Sequence, residues 1–281
     1  MDNEKLYWEE QSRIYDSLEY KPSEKYYRWQ PARWSGNNVA IRTMEKYLKD
    51  IKSSCEIGAG SGAFSIALYN YNNTIKLTAV DKSNAATEYG KKIFNDLNIP
   101  VNYINEDLFD LVGKYDLVLS LGVIEHYEED VMEKFVKKCI DLSNKYILIA
   151  IPNQDSIFFK NYVEWTRKNS KEYEEDHKKF DTEDLINLLR NNNLDIECVN
   201  GFQMFLSNHD FLSENSKKNL DIINLLKDKL SKYDTSLSNK FPYVDFDLED
   251  IEKMTQVELD VDDETRMKYS FMTFVLAKVK E

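Results

Sequence analysis

The stretch Ser53-Ser54-Cys55-Glu56-Ile57-Gly58-Ala59-Gly60-Ser61-Gly62-Ala63-Phe64-Ser65-Ile66-Ala67-Leu68 decides how this chain is read. A short strand-like run ends at Ile57, glycines then stand at every second position, and Ala63–Leu68 reads as a helix. A strand that turns into a helix over glycines lets a ligand touch bare backbone, because no Cβ stands in its way. The chain has only 8 glycines, so three between Gly58 and Gly62 mark a built turn. Glu56 sharpens the reading: a carboxylate at that place repels a pyrophosphate and suits a ligand that carries positive charge.

Outward from this turn, short apolar runs alternate with helical patterns. Leu77–Asp81 reads as a strand ending in an acid, and Ser83 then caps a helix through about Asn95. Val101–Ile104, Tyr115–Ser120 and Tyr146–Ile151 read as the next strands, with a helix over Glu128–Ile140 before the last of them. Asp181 reads as an N-cap, with Phe180 and Leu185 spaced as a hydrophobic staple, for a helix to about Arg190. Leu194–Val199 and Phe271–Val279 complete seven strands. The alternation predicts an α/β fold: a doubly wound, Rossmann-like seven-stranded sheet, mostly parallel, with helices on both faces and helical insertions. Residues 1–50 read as a helical cap, with Tyr7, Ile14, Tyr15 and Leu18 on one stripe. Residues 51–203 and 269–281 read as the core; the insertions, 155–179 and 204–268, form a lid or substrate region. Phe158, Tyr162 and Trp165 make a helical stripe in the first insertion, read as core in preference to pocket. His177 and His209 read as surface or packing residues; Arg28, Arg33 and Trp34, just before the sheet, read as surface groups with their stems packed down in preference to contacts for an anionic or planar substrate.

Composition bounds the function. With 37 basic and 50 acidic residues the formal charge is −13, which disfavours nucleic acid as a partner because phosphates need cations. The 18 Tyr, 14 Phe and 4 Trp supply a core and suit a pocket for an organic molecule. Cys55, Cys139 and Cys198 lie far apart inside apolar runs and read as buried reduced thiols of a cytoplasmic protein. No apolar run approaches the length of a membrane span, and Met1–Lys5 does not open a signal peptide, so no membrane partner is expected. The oligomeric state stays open.

Glu56-x-Gly58-x-Gly60-x-Gly62 after a strand, Asp81 ending the next, and Asp107 after the third together resemble the class I S-adenosylmethionine-dependent methyltransferases. The resemblance runs from about Tyr15 to Gly201 and returns at the last strand, which it implies is inserted antiparallel. It implies S-adenosylmethionine as methyl donor, S-adenosylhomocysteine as product, and a small metabolite as acceptor. The donor would meet Gly58, Ala59 and Gly60 at its methionine and ribose, with Gly62 closing the turn. Glu56 would set the loop and attract the donor's ammonium. Asp81, beside Lys82, would accept both ribose hydroxyls. Asp107 would accept from the adenine amino group with Leu108 against the ring. Leu121 and Gly122 would face the methionine end, and Tyr15 would close over it, simple helix packing being the equal alternative.

Gly58-x-Gly60-x-x-Ala63 also satisfies the relaxed dinucleotide fingerprint, with Asp81 as the ribose acid. Gly62, Glu56 and Asp107 fit the methyltransferase pattern better. Ser120–Tyr127 carries Glu125-His126 where the fourth strand meets the reactive end. His126 suits removal of a proton from an acceptor hydroxyl or amine; a role of the pair in capping or holding the loop is the alternative. A metal on Glu125 and His126 lacks visible partners, so none is expected. The expected activity is methyl transfer to a sugar or natural-product intermediate. The alternatives are methylation of protein or nucleic acid, and a binding protein that does not catalyse.

Overall fold

The computed structural model describes residues 3–169, 180–205, 220–241 and 246–280. Its strands are β1 (Ser53–Ile57), β2 (Lys76–Asp81), β3 (Asn102–Asn105), β4 (Tyr115–Leu121), β5 (Ser143–Pro152), β6 (Asp195–Phe202) and β7 (Met272–Lys278). They form one sheet in the order β3-β2-β1-β4-β5-β7-β6. Strands β1 to β5 pair in parallel, and β7 lies antiparallel between β5 and β6. The sheet is therefore the expected doubly wound one, with its reversed last strand.

The side chains of β5 show why the sheet is covered twice. Ile147, Ile149 and Ile151 enter one buried cluster, while Leu148 and Ala150 enter the other. An apolar run with both alternations buried is what a central strand needs. On one face lie α1 (Asn3–Ser17), α2 (Pro22–Trp29), α3 (Pro31–Thr43), α4 (Glu45–Leu48), α5 (Ala63–Tyr71) and α6 (Asn84–Asp96), contributing Val39, Met44, Phe64 and Phe94. The other face is covered by α7 (Glu129–Leu142) and α9 (Thr182–Asn191), through Phe135, Val136, Leu185 and Leu189. Pro22 and Pro31 open α2 and α3 at the first turn, where a missing N–H costs nothing. Ser83 Oγ caps α6 by accepting from Ala86 N, and Asp181 with Asp184 closes a capping box on α9, such a cap contributing about 1 kcal/mol.

Strand β5 begins at Ser143, earlier than its apolar run. The added residues are held by backbone pairing, Ser143 opposite Tyr115, which hydrophobic pattern does not register. Cys55 and Cys139 are buried, but Cys198 is only half-buried. It lies on β6, an edge strand covered less completely than the centre of the sheet. On α1 the packed stripe also differs: Tyr7 is 51% exposed, while Trp8 packs against the core and Tyr15 is fully buried.

The helices α8 (Ile157–Asn169), α10 (Leu220–Leu230), α11 (Thr235–Lys240), α12 (Leu248–Leu259) and α13 (Asp263–Tyr269) belong to the insertions. A third cluster holds them together: Phe158, Ile222, Leu226, Leu237, Met254 and Val257 are buried in it, with Tyr162 and Trp165 packed against it. The stripe of the first insertion is thus core. Residues 170–179, 206–219 and 242–245 of the insertions, with His177 and His209, lie outside the described residues. The second insertion is pinned to the sheet by Glu258, fully buried, whose Oε2 accepts from Met204 N at 3.0 Å.

Burial pushes the Glu258 carboxyl up from its ordinary 4.5 to about 7. The folded protein therefore holds a proton there that the unfolded chain releases. Stability from this group is complete below pH 4.5 and is lost as pH rises through about 7. Thermal unfolding of E258Q is expected to lose less midpoint temperature between pH 5 and 8 than the parent; equal losses would sink this assignment.

Candidate functional site

Parallel strands bring their C-terminal ends to one rim, and Asp81, at the end of β2, organises it. Its Oδ2 accepts from Gly60 N and its Oδ1 from Ser83 N, each at 2.9 Å. Its backbone carbonyl accepts from Asn105 Nδ2 at 2.9 Å and from Glu106 N at 3.2 Å. One residue thus ties the glycine turn, the start of α6 and the loop after β3. Burial raises the Asp81 carboxyl above its ordinary value, while the Ser83 and Gly60 N–H groups pull it back. Gly58, Gly60 and Gly62 all have positive φ, 64°, 53° and 70°. At Gly60 the lack of a side chain also has a steric reason: a Cβ would stand 2.4 Å from the Trp8 ring.

Along this rim runs a cavity of about 510 Å³, lined by Gly58, Asp81, Lys82, Asp107, Leu108, Gly122 and His126 from the sequence-predicted set. Glu4, Tyr7, Trp8, Ile57, Val80, Glu106, Val123 and Tyr127 complete the lining. The last set escaped the motif reading because cavity walls come from neighbours of motif residues. Trp8 had a signal, since it belongs to the packed face of α1. Asp107 Oδ1 accepts from Phe109 N at 2.9 Å, which turns the loop and leaves Leu108 buried beside the cavity. Lys82 reaches Glu4 of α1 at 3.9 Å across the opening, a contact between exposed groups of little energetic weight.

The other predicted residues lie behind this lining. Ala59 N bonds to Val80 O, and Gly62 N to Ala59 O, so both hold the turn. Glu56 Oε2 accepts from Ser65 N at 2.8 Å, capping the start of α5, and burial lifts its carboxyl to about 7. Leu121 is half-buried at the end of β4. Tyr15 does not line the cavity: its hydroxyl donates to Asp96 Oδ2 at 2.9 Å and its ring meets Tyr89 edge-on. Trp8, two turns earlier on α1, covers the glycine turn instead.

The wall opposite Asp81 is the short 3₁₀ turn Ile124–His126 after β4. It splits the pair that sequence reading joined. His126 is exposed and lines the cavity, whereas Glu125 is 1% exposed and lies behind Gly122. Glu125 Oε1 lies 3.7 Å from where a Cβ on Gly122 would be, and Oε2 has no hydrogen-bond partner. Burial pushes this carboxyl up to about 7. Among the described residues no group of three or more His, Cys, Asp or Glu side chains is placed to hold a metal ion. No described helix is long and apolar enough to cross a membrane.

Residues 55–147 match the model of a family described as a methyltransferase domain. The chain is 26% identical over 109 residues to carboxy-S-adenosyl-L-methionine synthase of Nautilia profundicola, covering 37% of this chain and 45% of that protein. It is 25% identical over 116 residues to the chloroplastic magnesium protoporphyrin IX methyltransferase of Arabidopsis thaliana, covering 41% of this chain and 36% of that one. The matched part thus spans less than half the length of these curated relatives. Among solved structures, the plantazolicin methyltransferase BpumL, in complex with a triazolic desmethylPZN analog and SAH, superposes with a TM-score of 0.56 at 16% identity, covering 100% of this chain and 92% of that one. A possible histamine N-methyltransferase of Thermotoga maritima superposes with a TM-score of 0.51 at 16% identity, covering 91% and 95%. At these identities the superpositions establish a shared fold.

Replacing Gly60 tests the turn directly. Gly60→Ala forces an alanine into a left-handed conformation and onto the Trp8 ring, at a cost of about 1–3 kcal/mol. The urea midpoint should fall and the tryptophan emission should shift; an unchanged spectrum would separate Trp8 from the turn.

Proposed function

We propose that this chain, which belongs through residues 55–147 to the class I S-adenosylmethionine-dependent methyltransferases, moves a methyl group from S-adenosylmethionine to a hydroxyl or amine of a small molecule. The observation that carries this reading is the convergence of Gly58, Asp81 and Asp107 on one cavity whose far wall holds His126. S-adenosylhomocysteine would be the product.

The residues present fit such a donor. A cavity of about 510 Å³ accommodates a nucleoside with an amino-acid arm. Asp81 spends one lone pair of each carboxylate oxygen on Gly60 N and Ser83 N, and keeps the others to accept from ribose hydroxyls. Asp107 and Leu108 supply an acceptor and an apolar face for adenine, and Lys82 borders the same space. Gly58 and Gly122 admit the sulfonium end, which when bound supplies an electrophilic methyl group. Ala59, Gly60, Gly62, Glu56 and Leu121 hold the turn and the β4 end that face it. Tyr15 acts through packing, fixing α1 on α6 so that Trp8 covers Gly60.

His126 and Glu125 share the proton work in this reading. His126, exposed at the cavity wall, takes the acceptor's proton, and Glu125, buried behind Gly122, provides a second base, its carboxyl pushed up to about 7. Transfer between aligned groups gains most from positioning and from exclusion of water, the task of α1 and the insertions. Residues 1–50 act as cap, 51–203 and 269–281 as core, and 155–179 and 204–268 as the acceptor side. The charge of −13 favours small acceptors over nucleic acid. A place in small-molecule biosynthesis in the cytoplasm, with thiols kept reduced, follows from the same reading.

Calorimetry with S-adenosylhomocysteine should show one site per chain, and Asp81→Ala should weaken it at least about tenfold, the weight of hydrogen bonds to a charged acceptor. No binding to the parent protein would end this reading. In a screen of hydroxyl- and amine-bearing acceptors read by S-adenosylhomocysteine release, His126→Ala should lower turnover about a hundredfold or more. Glu125→Gln should remove a limb of the pH profile near 7. Turnover and pH profile unchanged in both variants would leave the pair a loop-holding role.

A further inference from the structure

Tyr103 of β3 and Gly90 of α6 stand against the glycine turn, yet neither lines the cavity. Tyr103 is buried and donates its hydroxyl to Gly60 O at 2.5 Å. Burial, with the charges of Asp81 and Glu56, pushes the ionisation of this hydroxyl up, so it stays a donor. The Tyr103 ring meets Phe94 edge-on at 6.2 Å and lies against Gly90. A Cβ on Gly90 would stand 2.3 Å from that ring and 2.6 Å from Gly60 O. Gly90 is buried in the middle of α6, where glycine is a poor helix former, and no positive φ requires it there. What its bare Cα gives is room for the Gly60 carbonyl and for the ring that holds it.

Gly60 is the link between this pair and the rim. The peptide before it is held through its N–H, which donates to Asp81 Oδ2 at 2.9 Å. The peptide after it is held through its carbonyl, by Tyr103. A glycine held on both sides keeps one conformation, and the carboxylate bonded to it keeps one orientation. Release of the carbonyl frees Gly60 to turn about its second backbone bond, and the N–H bond to Asp81 loosens with it. The lone pairs that Asp81 does not spend on Gly60 and Ser83 then lose their aim.

We infer that Tyr103 and Gly90 are positioning residues of the donor site: acting through the two peptides of Gly60, they aim the Asp81 carboxylate at the ribose hydroxyls. The inference rests on the donor assignment above and adds to it two residues that touch no ligand. Selection of a ribonucleoside over its deoxy form then depends on how closely an edge strand and a helix meet behind the turn.

Two ligands test this in calorimetry, the weaker by displacement: S-adenosylhomocysteine and its 2′,3′-dideoxy analogue, which gives Asp81 no hydroxyl to accept from. Tyr103→Phe should weaken S-adenosylhomocysteine about three- to tenfold and the analogue less than about twofold, the weight of one neutral hydrogen bond acting only through the ribose. This variant keeps the ring and with it the fold, which its unfolding midpoint checks. Gly90→Ala should show the same selective loss although alanine suits a helix better. Equal losses for both ligands in Tyr103→Phe, or none for either, overturn the inference while leaving the donor assignment standing. So does a Gly90→Ala protein that unfolds at a higher temperature and binds both ligands as the parent does. A parent protein that binds neither ligand overturns both.

Discussion

The Asp81 carboxylate is the constraint on which the rest of the rim depends. It accepts the Gly60 and Ser83 N–H groups from opposite sides, each at 2.9 Å. The carbonyl of Gly60 accepts from the Tyr103 hydroxyl of β3, so the peptides on both sides of this residue are fixed. A glycine turn is conformationally permissive, and without these bonds its backbone would sample several states. Asp81 converts that freedom into one shape, and its burial makes each of the bonds stronger. The carboxylate that would meet a ribose thus first builds the floor on which a ribose would rest.

Three buried acids sit at the points where the chain changes direction around this floor. Glu56 holds the start of α5, Glu125 lies under the turn after β4, and Glu258 ties the second insertion to the end of β6. Each is pushed up to about 7 by burial. They differ in what faces them. Glu258 and Glu56 have backbone donors, and act chiefly as braces. Glu125 Oε2 has none, as is also true of Glu258 Oε1, but Glu125 alone of the three lies between two residues of the cavity lining, Val123 and His126. Similar titration therefore has different consequences, and geometry, not charge, singles out Glu125.

Most of the core was legible because its signals are local. The glycine turn, the acid ending β2, the Ser83 and Asp181 caps and the apolar runs of β4 and β5 are each set within a few residues, and each formed where the pattern placed it. The ends of strands were less legible: Ser143 joins β5 through pairing with Tyr115, a contact between distant parts of the chain. The roof of the site was less legible still. Trp8 and Tyr15 lie on the same face of α1, and nothing local says which of them reaches the cavity. That is settled by α6, where Asp96 takes the Tyr15 hydroxyl and Lys92 pairs with Asp16 at 2.7 Å, leaving Trp8 over Gly60. The parts played by Tyr103 and Gly90 were invisible for the same reason: each is defined by what surrounds it.

The third hydrophobic cluster bears on how, in the proposed reading, one rim would serve both a donor and an acceptor. Phe158, Met254 and Val257 belong to a cluster distinct from those on the two faces of the sheet, which the insertions build together with Ala32 of α3. They meet the rest of the chain through Ala32, Tyr27 and Trp34 at the edge of that cluster and at polar points, Glu258 on Met204 N, Ser35 on Thr255 and Asn153 Nδ2 on Met267 O. Hydrophobic contact is roughly additive and tolerant of substitution, whereas a buried hydrogen bond demands its partner. A shell joined in this way can change its apolar lining, and with it the shape offered to an acceptor, while the polar pins keep it in register. In the proposed reading the donor side is fixed by the sheet and Asp81, and the acceptor side is free to vary within that frame.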